Sequence, residues 1–344
     1  MGEAERGRQQ APVHGGDLSA LRAVPGAYAG AWLDLSTGIN PLSYPLAPIP
    51  DDAWRRLPVA ADIEALLAAA REAYGCPDDS EVVAAPGTQA AIQWLPRLFS
   101  PKRVAVLGPT YAEHAYVWRQ AGHEVAELSV LPDNLDGIEI LIAVNPNNPD
   151  GRIIDKNVLR RRREELVARE GCLILDEAFA DVAPEISMAD EAGKPGLIIL
   201  RSFGKFFGLA GIRLGFVLGD PRLVHALRQA LGPWAVAGPA AVIGAAALRD
   251  ADWQSQMRAQ LGQRQRKLDA VLQEHGIPVI GGTSLFRLAE VANAAAFAAA
   301  LRRQGIHVRI FEAQPRWMRF GLPGDEAEFR RRLGVVLQEY PIQR

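Results

Sequence analysis

Lys205 lies within Ser202-Phe203-Gly204-Lys205-Phe206-Phe207-Gly208-Leu209-Ala210-Gly211-Ile212-Arg213-Leu214-Gly215, between the apolar runs 197–200 and 216–218. An amine among glycines and aromatics, just past a buried strand, is not placed there for solubility. Apolar and cationic neighbours lower an amine's pKa and make it nucleophilic. Such a lysine forms Schiff bases, and the common biological carbonyl partner is pyridoxal phosphate. That chemistry also needs a phosphate cradle, a partner for the pyridine nitrogen and a group to stack on the ring.

Candidates for each are present. Val82-Val83-Ala84-Ala85-Pro86-Gly87-Thr88-Gln89 reads as strand, glycine turn and helix start. Amides at Gly87, Thr88 and Gln89 would face an anion there, though an ordinary βα turn has the same pattern. Asp176 closes the run Cys172-Leu173-Ile174-Leu175. It reads either as a helix N-cap or as a buried carboxylate paired with a protonated ring nitrogen. Asn148 sits in Asn145-Pro146-Asn147-Asn148-Pro149-Asp150-Gly151, a turn-forming stretch that could also offer a hydrogen bond to the ring hydroxyl. Tyr111 is a stacking group or a core aromatic. Arg213 could fork onto a phosphate. Arg319, inside the apolar Trp317-Met318-Arg319-Phe320-Gly321-Leu322, is either a surface strand residue or the partner of a substrate carboxylate.

Strands are expected at 82–84, 104–107, 138–144, 173–175, 197–200 and 216–218, with helix-like sequence between most of them. Ile63, Leu66, Leu67, Ala70 and Tyr74 follow helical spacing, with Asp62 as N-cap and Gly75 as stop. This alternation predicts an α/β fold with a mostly parallel sheet between helices, and ligands beyond the strands' carboxyl ends. Past Trp234 a long helical stretch, 237–275, leads to a smaller α/β segment. The division expected is an arm, 1–40, serving the small domain and active site, a large domain, 41–248, and a small C-terminal domain, 249–344.

With 344 residues and a net charge of −2, nothing pulls the whole molecule toward nucleic acid or anionic membrane. The basic run Arg160–Arg163 precedes Glu164 and Glu165 at helical spacing and reads as a solvated face. Two cysteines, Cys76 and Cys172, make neither a disulfide framework nor a metal site. Met1–Gln10 is polar and charged, unlike a secretory signal, and no apolar run is long enough to span a bilayer. A cytoplasmic protein without metal is expected.

Together the Pro-Asn-Asn-Pro turn, Asp176-Glu177-Ala178-Phe179 and the Lys205 segment resemble the fold-type-I superfamily of pyridoxal-phosphate enzymes, class I/II aminotransferase branch, over nearly the whole length. The resemblance implies Lys205 as the cofactor's Schiff-base lysine, Asp176 on the pyridine nitrogen, Asn148 on the ring oxygen and Tyr111 stacking. It also implies Gly87, Thr88, Ser202 and Arg213 at the phosphate, Arg319 on the substrate carboxylate, and a homodimer with the active site at its interface. His14-Gly15-Gly16-Asp17, residues 34–41 and Arg319-Phe320-Gly321-Leu322-Pro323 resemble a branch that decarboxylates a phosphorylated amino acid for cobalamin. Histidinol-phosphate-type aminotransferases are the alternative, and a transcriptional sensor of this fold is disfavoured by the short segment before Asp34. On this reading His14, Gly15 and Asn40 meet the substrate together with Asn148, and Lys205, water or Tyr111 returns a proton to Cα. Four positions depart from the superfamily pattern: Phe179 and Leu57 where tyrosine is common, Gly204 where a hydroxyl residue is, and Asp150 where threonine is.

Overall fold

The computed structural model describes residue 12 and residues 15–78 and 80–340. Leu33–Leu35 forms β1, which joins a smaller sheet completed much later in the chain. The apolar runs become β2 (Glu81–Ala85), β3 (Arg103–Leu107), β4 (Glu124–Leu128), β5 (Ile140–Val144), β6 (Cys172–Asp176), β7 (Leu197–Ser202) and β8 (Gly215–Gly219). They form a seven-stranded sheet in the order β2-β8-β7-β6-β5-β3-β4. The pairs from β4 through β7 are parallel, whereas β8 runs antiparallel to both β7 and β2.

Every residue of β5, β6, β7 and β8 is buried. Alternate side chains enter two different cores: Leu141, Leu173, Leu175 and Ile199 on one face, Ile140, Ile142, Ile174 and Ile198 on the other. Covering both faces is what continuous apolar strands require. Edge strand β4 carries two glutamates and is largely exposed, which is why no apolar run announces it.

Two local expectations are corrected. The first long helix is Ala60–Tyr74, so Asp62 lies inside its first turn and accepts the Val59 amide at 3.1 Å; Gly75 ends it at φ 68°. The stretch 237–275 is two helices, Gly238–Arg249 and Ala251–Glu274. Asp250 breaks it by leaving helical geometry, accepting the Trp253 amide at 3.0 Å and the Tyr44 hydroxyl at 3.2 Å.

The smaller sheet adds β9 (Val279–Thr283), β10 (Phe286–Glu290), β11 (Ile306–Phe311) and β12 (Gln314–Gly321), in the order β1-β11-β12-β10-β9. Only β1 pairs in parallel, with β11. The smaller sheet meets the turn after β5 backbone to backbone: the Gly282 amide donates to the Asp150 carbonyl at 2.7 Å. A Cβ on Gly151 would lie 2.1 Å from the Gly282 carbonyl oxygen, and one on Gly281 would lie 2.2 Å from that of Asp150. No helix among the described residues is long and apolar enough to cross a membrane.

Candidate active site

A cavity of about 530 Å³ opens beyond the carboxyl ends of the parallel strands, where the two sheets face each other. The geometry follows from strand order. Asp176 ends β6, Ser202 ends β7, Asn148 lies in the turn after β5, and Tyr111 follows β3.

Lys205 belongs to a single helical turn, Phe203–Phe206. Aromatic packing anchors that turn: Phe203 stacks on Phe207 at 4.3 Å between ring centroids, and Phe207 on Trp253 at 5.6 Å. Gly204 is there for space, since a Cβ would lie 2.7 Å from the Ala210 Cα. The amine opens into the cavity, 5.9 Å from the Phe179 ring centre. Burial, then the charge of Arg319, pulls its pKa down to about 8, against the opposing pull of Asp176.

Asp176 is buried, and both oxygens are held. Oδ1 accepts the Ala178 amide at 3.0 Å, and Oδ2 lies 2.9 Å from His114 Nε2. A carboxylate only accepts, so the imidazole carries its proton on Nε2. His114 comes from the helix Glu113–Gln120 and is itself buried. Sequence reasoning missed it, although it sits one helical turn after Tyr111.

On the opposite wall, Gly87 has φ 79°, and a Cβ there would lie 2.6 Å from Arg213 Nη2. Arg213, in left-handed geometry at φ 54°, reaches across to this turn, and its Nη1 donates to the Ala210 carbonyl at 3.2 Å. Thr88 and Ser202 line the same wall. Tyr111 faces them, its hydroxyl donating to Gln89 Oε1 at 3.1 Å, while the Gln89 amide donates to Glu113 at 3.0 Å. Gln89 therefore orients Tyr111, and burial pushes the phenol's pKa up.

Arg319 is 7% exposed. Nη1 donates to Asn148 Oδ1, and Nη2 donates to the Ser36 carbonyl at 2.6 Å. Because Asn148 accepts through its oxygen, its NH₂ group remains to donate elsewhere. Arg319 Nε is buried with no partner among the described residues, a donor that calls for an acceptor. Arg309, opposite Arg319 in the β11–β12 register, lines the cavity beside it. Burial and Arg309 lower the Arg319 pKa to about 10. Sequence reasoning missed Arg309, whose alternating strand looks like a surface one.

Gly15 lines the cavity, whereas His14 lies outside the described residues. Asn40, expected at the substrate, is placed behind the lysine turn. It is 2% exposed, donates from Nδ2 to the Phe206 carbonyl at 2.8 Å and accepts the Leu42 amide at 2.8 Å. It braces the lysine turn from behind, with Nδ2 and Oδ1 each turned to a buried backbone group. Asp150 also works within its own turn, accepting from Asn147 Nδ2 at 2.7 Å and the Arg152 amide at 3.0 Å.

These features fit pyridoxal phosphate. Gly87 leaves the space that Arg213 and a phosphate would share. A buried carboxylate lines the cavity, the Asn148 amide has a donor group without a partner among the described residues, and an amine of lowered pKa lines the same cavity. Among the described residues no cluster of His, Cys, Asp or Glu is placed to hold a metal ion.

The chain is 47% identical to a threonine-phosphate decarboxylase of Pseudomonas aeruginosa, over 92% of this chain and 95% of that protein. It is 41% identical to one from a Sinorhizobium species, over 93% and 96% respectively. The fold matches the histidinol-phosphate aminotransferase of Sinorhizobium meliloti, crystallised in complex with pyridoxal-5'-phosphate, with a TM-score of 0.72 at 19% identity, covering 84% of this chain and 85% of that one. Residues 58–335 match the family model for aminotransferase class I and II, and the chain belongs to that family.

Proposed function

We propose that the protein is a pyridoxal 5'-phosphate-dependent decarboxylase that converts L-threonine O-3-phosphate to (R)-1-aminopropan-2-yl phosphate and carbon dioxide. The observation that carries this reading is the adjacent pair Arg309 and Arg319, facing the Lys205 amine across one cavity. Two cations side by side suit a substrate with two anionic groups, a carboxylate and a phosphate. The identity of 47% and 41% to threonine-phosphate decarboxylases supports the choice of substrate. The resemblance of the sequence to the cobalamin branch supports a product destined for the aminopropanol arm of that cofactor.

When bound, the cofactor supplies an electron sink for the bond broken at the substrate's Cα. Gly87, Thr88, Ser202 and Arg213 hold its phosphate in this reading. Asp176, fixed by His114 and the Ala178 amide, would keep a proton on the ring nitrogen, and Asn148 would donate to the ring oxygen. Phe179 has no hydroxyl with which to add a second bond there.

Arg319 would fix the orientation of the substrate by gripping its carboxylate, with a guanidinium already held by Asn148 and Ser36. Such pre-positioning is the main lever available for reaction choice. Arg309 takes the second anion. Lys205, whose amine opens into the cavity, would return a proton to Cα. Tyr111 suits that step poorly, since its proton is committed to Gln89.

Incubation with threonine phosphate tests the proposal. Carbon dioxide and aminopropanol phosphate should form without 2-oxoglutarate. Stoichiometric glutamate formed only when 2-oxoglutarate is supplied would favour the aminotransferase instead.

The large unit, 41–248, in this reading holds the cofactor, while the arm, 1–40, and the unit 249–344 bring the substrate ligands. A homodimer in the cytoplasm completes the reading. Leu57, Val59 and Trp234 are 60%, 46% and 60% exposed. Val59 and Trp234 line one groove, a surface suited to a second copy. Light scattering at micromolar protein should give twice the 37.3 kDa chain mass; a monomer would refute the dimer.

A further inference from the structure

We infer that Ser36 is a positioning residue that couples the glycine strap at 15–16 to the guanidinium of Arg319, an assignment resting on Arg319 as the substrate's carboxylate ligand. Ser36 is 1% exposed, and each of its polar atoms is engaged. Its amide and its hydroxyl both donate to Asp34 Oδ1, at 2.9 and 2.6 Å. Its hydroxyl oxygen accepts the Gly16 amide at 2.9 Å. Its carbonyl accepts Arg319 Nη2 at 2.6 Å.

Direction matters in this chain of bonds. Asp34 takes the hydroxyl proton, so Ser36 Oγ meets the strap as an acceptor only. A carboxylate behind a hydroxyl also strengthens the bond that the hydroxyl accepts. The strap fits only without side chains: a Cβ on Gly15 would lie 2.8 Å from both the carbonyl oxygen and Oγ of Ser36, and Gly16 has φ 93°. One buried residue thus holds the strap by its side chain and Arg319 by its backbone. Loosening the strap frees Ser36 to move and weakens one of the two bonds that aim the guanidinium. Conversely, a carboxylate that fixes Arg319 favours the seated strap, because coupling between sites is reciprocal.

The experiment reads hydrogen exchange at the Gly16 amide in the cofactor-loaded protein, beside KM and kcat for threonine phosphate. Threonine phosphate should slow Gly16 exchange in the wild type. Ser36→Ala should speed that exchange about fivefold or more, the effect of one net hydrogen bond. It should raise KM about tenfold, with kcat moving far less and the cofactor absorbance unchanged. Ser36→Thr, which keeps the hydroxyl, should recover most of both losses. Gly15→Ala approaches from the other side and should reproduce the rise in KM.

Arg319→Met should speed Gly16 exchange even with no substrate present. Unchanged exchange in that variant overturns the coupling whatever the true substrate is. Faster exchange in Ser36→Ala with unaltered KM also overturns it. A wild-type protein that ignores threonine phosphate while Arg319→Met still speeds Gly16 exchange defeats the proposed substrate and supports the coupling.

Discussion

Capture of the cofactor by the stripped protein should titrate with Lys205. Its pKa falls from 10.5 to about 8, chiefly through burial and then through Arg319. Only the neutral amine attacks an aldehyde. At pH 7 about a tenth of the amines are neutral at the lowered pKa, against about 3 in 10,000 at the ordinary one, a gain of about 300-fold. Stopped-flow mixing with pyridoxal phosphate, followed by visible absorbance, should show the rate rising about tenfold per pH unit toward pH 8 and levelling above it. Arg319→Met removes the largest charge acting against protonation, so the midpoint should move up. The same shift sets apo stability. Between the lowered and the ordinary pKa the unfolded chain holds a proton at this lysine that the folded chain has released. Stability therefore rises with pH through that window, by up to about 3 kcal/mol from this group. At pH 7 apo Lys205→Met should be more stable than the wild type by up to about that amount. A capture rate still climbing through pH 10, or an unmoved midpoint in Arg319→Met, would refute the reasoning.

Asp176→Ala should lower kcat by about a thousandfold or more while cofactor content falls far less, since the residue acts on the electron sink rather than on phosphate binding; equal turnover would remove that role. Gly87→Ala should weaken cofactor affinity about tenfold, because alanine disfavours φ 79° and its methyl would displace the Arg213 guanidinium; titration of the apo protein measures this. Asn40→Ala should cost about 2–3 kcal/mol in denaturant unfolding and leave KM unchanged, because both ends of the amide serve buried backbone. A raised KM without lost stability would return Asn40 to the substrate site.

The chemistry-bearing residues were legible where a charge interrupts an apolar run: Lys205, Asp176 and Arg319 each stand out that way, and the structure brings all three to one cavity. Arg309 did not stand out, because Ile306-His307-Val308-Arg309-Ile310 has the alternation of any half-exposed strand, and only its register with Arg319 places it at the cavity. His114 meets Asp176 across 62 positions, a contact set by tertiary packing alone. The place of Asn40 is set by packing in the same way. Its neighbours in sequence suggest a ligand loop, but its amide bonds to Phe206, 166 residues away. Strand β4 was hidden by its glutamates, since an edge strand needs little apolar surface.

The seam between Asp150–Gly151 and Gly281–Gly282 constrains how such a protein can be recombined. Main chain rests directly on main chain there, so neither side can be exchanged by itself. A hybrid that borrows its C-terminal third from a relative must import that relative's stretch equivalent to 147–151 as well. Inheritance of the two pieces is thereby linked, although about 130 residues separate them along the chain.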